Sequence, residues 1–263
     1  MSTLCPQHNP VITSHINVAL SFTQSVLKRR QCIFEGMEAK IYHPRNKDEE
    51  QPRFLHISWL YAQDYCEYQL YLEQVRGVAV DDTPAMVEGS VEHQRLEDEF
   101  LAKAEREYTF EEAVEESKST PISSRELYVE DRSLNIRGYI DELVLSPDGF
   151  TVIDDKPVGR TGKVYPSSKH QVYGYCIALK NMLGPEEQRP ITAAVRSRGS
   201  DRIVWSEAFD SKAEKKVERL IKRVHGLIDG DLQFKSSRQA YKCRPCRFFE
   251  ICDKRVEPSY HTG

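Results

Sequence analysis

The chain has 263 residues, 30% charged and 39% hydrophobic, with 37 Lys and Arg against 41 Asp and Glu and a formal net charge of −4. That length supports one large domain or two small ones with a sizeable core, and the composition is polar and globular rather than disordered. No apolar run approaches the roughly 18 residues of a membrane span, and no basic stretch followed by an apolar one marks a secretory signal. A cytoplasmic or nucleoid-associated protein is expected.

The net charge hides a segregation. Residues 1–156 carry 16 Lys and Arg against 29 Asp and Glu, a net of −13, whereas residues 157–263 carry 21 against 12, a net of +9. A basic C-terminal part is where a polyanion such as nucleic acid would be met.

In chain order, residues 18–30 read as a helix and 46–51 as a polar linker. Ser58 is placed to N-cap a helix over 59–75, rich in apolar and aromatic residues, with Gly77 as its stop. Pro84 opens a second helix carrying Glu88, Glu92, His93, Leu96, Phe100 and Leu101. A charged helical or loose segment follows to residue 120. The pattern then changes to period two. Strands are expected at 126–130, 136–145 and 150–156, the last two joined by Ser146-Pro147-Asp148-Gly149. A helix over 168–182 and strands at 191–198 and 202–209 come next. An amphipathic helix over 212–228 turns Val217, Leu220, Ile221, Val224, Leu227 and Ile228 inward. Its outer face carries Lys212, Lys215, Lys216, Arg219, Lys222 and Arg223. The chain is mixed α/β with a central sheet.

Seven cysteines stand at 5, 32, 66, 176, 243, 246 and 252. An odd count without a signal argues against a secreted disulfide framework. Cys243, Cys246 and Cys252 fall within ten residues. A C-x2-C pair presents two thiolates to one metal centre and the third closes over another side, so zinc or an iron–sulfur cluster needs one further ligand. Cys176, inside a helix, reads as a buried core thiol.

The hairpin carries the chemistry. With Leu145 opposite Phe150, Asp141 lies across from Asp154 and Tyr139 across from Lys156, and Asp154 and Lys156 share a face. That face is apolar near the turn (Leu143, Leu145, Phe150, Val152) and ionic at its far end. Two carboxylates so close need a cation between them, and hard Mg²⁺ or Mn²⁺ fits. Such an ion assists phosphate hydrolysis, with Lys156 placed to position water or stabilise negative charge.

Gly138-Tyr-Ile-Asp141 followed by Val152-Ile-Asp154-Asp155-Lys156 resembles the PD-(D/E)XK nuclease core in its RecB-like form. Gln171-Val-Tyr-Gly-Tyr175 is similar to the Q-x-x-x-Y signature of that subgroup, and Gly89-Ser-Val-Glu-His93 to its G-x-x-x-H helix. Iron–sulfur nucleases of this type carry one cysteine before the core and three near the C-terminus, the pattern of Cys66 with Cys243, Cys246 and Cys252. The resemblance is nearest to the CRISPR-associated RecB-like exonucleases, the fourth Cas family, over residues 55–255. Relatives have Pro and Arg after the first cysteine, where Glu67 and Tyr68 stand here.

The resemblance implies a restriction-endonuclease-like α/β core, a central mixed sheet flanked by helices, with a helical iron–sulfur subdomain joining the two ends. It divides the chain into an N-terminal extension (1–54), the first cluster helix (55–80), the nuclease core (81–235) and the cysteine region (236–263). It further implies that His93, Asp141, Asp154 and the Asp155 backbone carbonyl hold Mg²⁺ or Mn²⁺. Lys156 would orient or activate the attacking water, with Gln171 and Tyr175 supporting the site and touching substrate. Cys66, Cys243, Cys246 and Cys252 would hold a 4Fe-4S cluster. Lys215, Lys216, Arg219, Lys222, Arg223, Arg244 and Arg247 form the expected DNA-binding face. The implied activity is single-strand DNA exonuclease, 5′ to 3′ by resemblance, on prespacer ends beside CRISPR integrase proteins. Two other readings stand beside it: a stand-alone repair or viral nuclease, and a catalytically silent DNA-binding module that keeps the cysteine cluster.

Overall fold

Short β-branched alternations interrupted by tight turns dictate a sheet, and the longer 3.6-period segments dictate the helices that cover it. The computed structural model describes residues 36–42, 54–104, 106–158 and 162–257, all within the unit Glu35–Gly263. The helix expected over 18–30, the linker over 46–51, Cys5 and Cys32 lie outside the described residues.

The chain enters the sheet at β1 (Met37–Tyr42) and β2 (Leu55–His56). It then forms α1 (Trp59–Leu70), continued by a π-turn over Tyr71–Val75, and α2 (Pro84–Leu101). After β3 (Arg106–Thr109) and α3 (Phe110–Glu116) comes a meander of β4 (Ile122–Asp131), β5 (Ile136–Ser146) and β6 (Gly149–Lys156). α4 (Pro166–Leu183), β7 (Ile191–Ser197), β8 (Ile203–Ala208) and α5 (Ser211–Ile228) follow. The tail holds the single-turn α6 (Ala240–Cys243) and a 3₁₀ turn, Phe249–Ile251.

The strands run in the order β3-β1-β4-β5-β6-β7-β8, with β2 beside β5. Pairs β4–β5, β5–β6 and β7–β8 are antiparallel, and β1–β3, β1–β4, β2–β5 and β6–β7 are parallel. The result is an α/β fold, a central mixed sheet flanked by helices, as the resemblance implies. α4 packs across β4 to β7 and is itself covered by α1 and α5. That explains why its residues His170 to Leu179 are all buried: a helix apolar on every side must have neighbours on every side. α5 is capped by Asp210, whose Oδ1 accepts from the amides of Lys212 and Ala213 at 3.0 and 2.8 Å. It buries Val217, Ile221, Val224 and Leu227, while Leu220 and Ile228 are half-buried at the edge of the same stripe.

Three departures from the sequence reading have local causes. β1, assigned by sequence to the N-terminal extension, is a strand of the sheet; it buries only Ala39 and Ile41, too few to show a period. β2 and β3 are too short for one. The Ser58 side chain makes no cap bond, because its backbone is already helical, whereas Thr83 does cap α2 by accepting from the Met86 amide at 3.3 Å.

One face of the β5–β6 hairpin is sealed by charge. Arg196 donates to Asp155 at 2.7 and 2.8 Å and to Glu142 at 2.5 Å. Arg125 reaches the same two carboxylates at 3.2 and 3.0 Å. All four side chains are at most 9% exposed. Removing one cation from such a set leaves a buried carboxylate uncompensated. Arg196→Met is therefore expected to lower stability by about 3 kcal/mol in urea unfolding. A loss below about 1 kcal/mol would show that Arg125 alone satisfies both acids.

Candidate active site

The two carboxylates expected to hold a metal, Asp141 and Asp154, stand where β5 and β6 part. The hairpin register expected from the sequence holds from Ser146↔Gly149 to Glu142↔Ile153 and stops there. At the next position Asp141 replaces a backbone acceptor with its side chain: Oδ2 takes the Asp155 N–H at 2.7 Å. Asp141 and Asp154 therefore meet on one face at the point of separation, but the expected pairing of Tyr139 with Lys156 does not form. On its other edge Tyr139 pairs with Tyr128 of β4, their rings 5.4 Å apart.

Lys156 Nζ lies 3.0 Å from Asp154 Oδ2 and 5.6 Å from the Tyr61 ring centroid. From α2, His93 points Nε2 at Asp141 Oδ2 (3.8 Å) and Nδ1 at Glu126 Oε1 (3.3 Å). One ligand atom from each of His93, Glu126 and Asp141 lies within 4.8 Å of the others. Asp154 is 1% exposed, and neither of its oxygens holds a well-directed hydrogen bond among the described residues. A buried carboxylate left this way calls for a cation beyond Lys156. Hard oxygen donors beside one imidazole suit Mg²⁺ or Mn²⁺.

The electrostatics follow from burial. Asp141 is pushed up to about 7, first by burial and then by Asp154, against the pull of Lys156 and His93. Burial likewise raises Asp154, with Lys156 opposing. Burial pulls the Lys156 ammonium down, but Asp154 and Asp141 outweigh it and the net shift is upward. His93 is raised by its hydrogen bond to Glu126 despite its burial.

A family profile for the PD-(D/E)XK nuclease superfamily matches residues 68–253. The chain belongs to the PD-(D/E)XK nuclease superfamily. Such nucleases are phosphodiester hydrolases that use divalent metals such as Mg²⁺ or Mn²⁺. Among solved structures, that of SSO0001 is 15% identical over 91% of this chain and 97% of its own, with a TM-score of 0.44. The "Putative exonuclease" of Eubacterium rectale is 14% identical over 73% of this chain and 87% of its own, with a TM-score of 0.43. No curated protein matches the chain by sequence.

In this nuclease the Q-x-x-x-Y residues lie beneath the gap. Gln171 Nε2 donates to the Tyr175 hydroxyl at 3.0 Å, and both side chains are buried. Burial and then Asp154 and Asp141 hold the Tyr175 phenol well above its ordinary range. The Tyr175 ring also explains Gly138, where a Cβ would come within 2.9 Å of Cε1.

Glu126 escaped the sequence reading. It sits opposite Asp141 where the β4–β5 ladder skips a pair, with φ 51°, a left-handed conformation that non-glycine residues seldom adopt. Such strain costs about 1 kcal/mol or more and collects at functional sites. A glutamate inside an apolar–polar alternation carries no sign of it.

The four cysteines expected to act together line one pocket, although 177 residues separate Cys66 from Cys243. Cys66 breaks α1, with φ −167° and ψ 110°. Lys242 Nζ donates to the nearby Asp64 and Tyr65 carbonyls at 3.3 and 3.0 Å. The Ser237 amide points at Cys66 Sγ (3.3 Å) and Gln69 Nε2 at Cys246 Sγ (3.1 Å). Cys176 is fully buried core, as read.

Two members of the expected DNA-binding face are spent elsewhere. Arg223 turns inward to Glu67 at 2.5 and 2.8 Å, and Arg247 is held by Glu73 at 2.6 Å and Asp82 at 3.5 Å. Each stands beside a buried or half-buried acid that helical periodicity cannot reveal. Lys215, Lys216, Arg219, Lys222 and Arg244 remain exposed.

A pH dependence follows. The folded Asp141 carboxyl, at about 7 against an ordinary 3.8, keeps a proton that the unfolded chain releases, and His93 also binds its proton more tightly when folded. Asp141 makes the metal-free protein lose stability as pH rises from 3.8 towards about 7, and His93 adds a loss that begins only above its ordinary 6.5. Urea midpoints across that range should fall more steeply for the natural chain than for Asp141→Asn. Equal slopes would show that Asp141 is not raised.

Proposed function

We propose that this chain is a Mg²⁺- or Mn²⁺-dependent deoxyribonuclease that trims single-stranded DNA ends and carries a 4Fe-4S cluster. One observation carries the nuclease reading: the buried Asp154 carboxylate, without a well-directed hydrogen bond, shares a gap in the sheet with Asp141, His93 and Lys156. When bound there, a divalent ion supplies Lewis-acid polarisation of the phosphate and lowers the pKa of water. Asp141, Asp154 and His93 Nε2 are the side chains that would hold it. The Asp155 carbonyl joins them, since on an extended strand it faces the same edge as its own N–H, which points at Asp141.

Lys156 acts as a donor. Its proton is retained under the pull of Asp154 and Asp141, so the ammonium orients the attacking water and stabilises charge growing on the phosphate. Glu126 receives the Nδ1 proton of His93 and so leaves Nε2 free towards Asp141, as carboxylates behind metal-binding histidines do. Gln171 and Tyr175 form the floor of the site.

The cysteine pocket supports the cluster. Its four thiols converge from α1 and the tail, and two N–H groups point at its sulfurs. The 5′ to 3′ direction, prespacer processing and CRISPR integrase partners rest on the resemblance. A stand-alone repair or viral nuclease would use the same chemistry.

Asp154→Ala should reduce Mn²⁺-dependent cleavage of end-labelled single-stranded DNA by about a thousandfold while DNA binding persists. Cleavage at the natural rate would remove Asp154 from the site. The anaerobically purified protein should absorb at about 400 nm and lose that band in Cys246→Ala. Zinc without iron in the natural chain would refute the cluster and leave the nuclease reading intact.

A further inference from the structure

Arg198 follows the last residue of β7, and its amide donates to the Lys156 carbonyl at 2.9 Å, so its backbone runs alongside the strand that bears Asp154 and Lys156. Its side chain crosses to α2. A Cβ built on Gly89 would stand 2.8 Å from Nη1, 3.1 Å from Nη2 and 3.2 Å from Cζ. Gly89 and His93 are four residues apart on that helix and so lie on one face, one turn apart. The guanidinium therefore spans from the Lys156 strand to the His93 helix, beside the gap.

Among the described residues no acid forms an ion pair with Arg198, and Glu92 acts on it only at longer range. Arg198 Nε is buried without a hydrogen bond, and no carboxylate lies within 4.0 Å of the guanidinium among the described residues. Glu92, the acid beside His93, is held by Arg95 at 2.9 and 2.7 Å. Arg125, Arg189, Arg196, Arg223 and Arg247 each hold a carboxylate, and the half-buried Arg137 lies over the Phe54 ring. A planar fork kept beside a metal site with no acid to neutralise it matches the geometry of a phosphate.

We propose that Arg198, seated against Gly89, grips a backbone phosphate of the DNA strand at the cleavage position. The assignment rests on the nuclease reading and names a substrate contact outside its metal, lysine and cysteine sets. It also gives the G-x-x-x-H helix a physical reason for its glycine in this chain: a side chain there would displace the guanidinium.

The test is single-stranded DNA binding by fluorescence anisotropy in Ca²⁺ over a range of salt, with Mn²⁺ binding measured by calorimetry without DNA. Arg198→Ala should weaken DNA binding about tenfold and flatten the logarithmic salt slope by about 0.7, with Mn²⁺ affinity within about twofold of the natural chain. Arg198→Lys should restore the slope but only part of the affinity. Gly89→Ala, which favours the helix but crowds the guanidinium, should weaken DNA binding in the same direction. If Arg198→Ala does not fold, the lysine and Gly89→Ala variants carry the comparison. Unchanged DNA affinity and slope in the folded variants, with the natural chain binding and cleaving, would overturn the Arg198 assignment alone. An equal loss of Mn²⁺ affinity would also overturn it, by showing a structural role. A natural chain that neither binds nor cleaves single-stranded DNA would overturn the nuclease reading and this assignment with it.

Discussion

The bond from the Asp155 amide to the Asp141 carboxylate, 2.7 Å long, decides what the hairpin can do. β6 pairs with β5 only as far as Glu142, and β2 takes the same edge of β5 at Ile136 and Arg137. Among the described residues, 138–141 have no strand partner on that edge. A side-chain oxygen takes over the amide that a continued ladder would have used, so the strands part without leaving that donor unmet. The parting opens the gap in which Asp141, Asp154 and Lys156 face one another.

The two faces of the hairpin solve the same electrostatic problem differently. Away from the gap, Glu142 and Asp155 are neutralised by Arg125 and Arg196, a fully protein-built balance. In the gap, Asp141, Asp154 and Glu126 are met by Lys156 and His93, and the Asp154 oxygens lack well-directed donors. Alternation of side chains along one strand puts the two arrangements back to back: Asp154 and Asp155 are neighbours in sequence and opposites in role. The sealed face is neutralised by the protein itself, and the unsealed one has capacity for a metal.

The cysteine region is tied to the core by more than its sulfurs. Glu67 pairs with Arg223 of α5 and accepts from the Lys235 amide at 3.0 Å, and the Tyr68 hydroxyl donates to Asp253 at 2.6 Å. These are the two residues that follow Cys66. They bind the tail to α1 by hydrogen bonds. Lys242, from the tail, meets carbonyls beside the kink at Cys66. The tail and the kink are thus one construction.

Much of this was legible in the chain itself. Period-two alternation and the Ser146-Pro147-Asp148-Gly149 turn determine the β5–β6 hairpin, and its register brings Asp141 and Asp154 together. The apolar stripe of 212–228 and Pro84 as a helix start determine α5 and α2, and cysteine spacing singles out the tail. These are local properties, set by interactions a few residues long. Only the tertiary structure decided that the ladder ends at Glu142, that Glu126 adopts a left-handed backbone beside His93, and that Arg223 and Arg247 face acids rather than solvent. It also decided that Arg198 has no carboxylate partner among the described residues while Arg196, two residues earlier, has two. The reason is physical: pairing of a charge depends on what distant segments bring beside it, and neither period nor spacing encodes that neighbour.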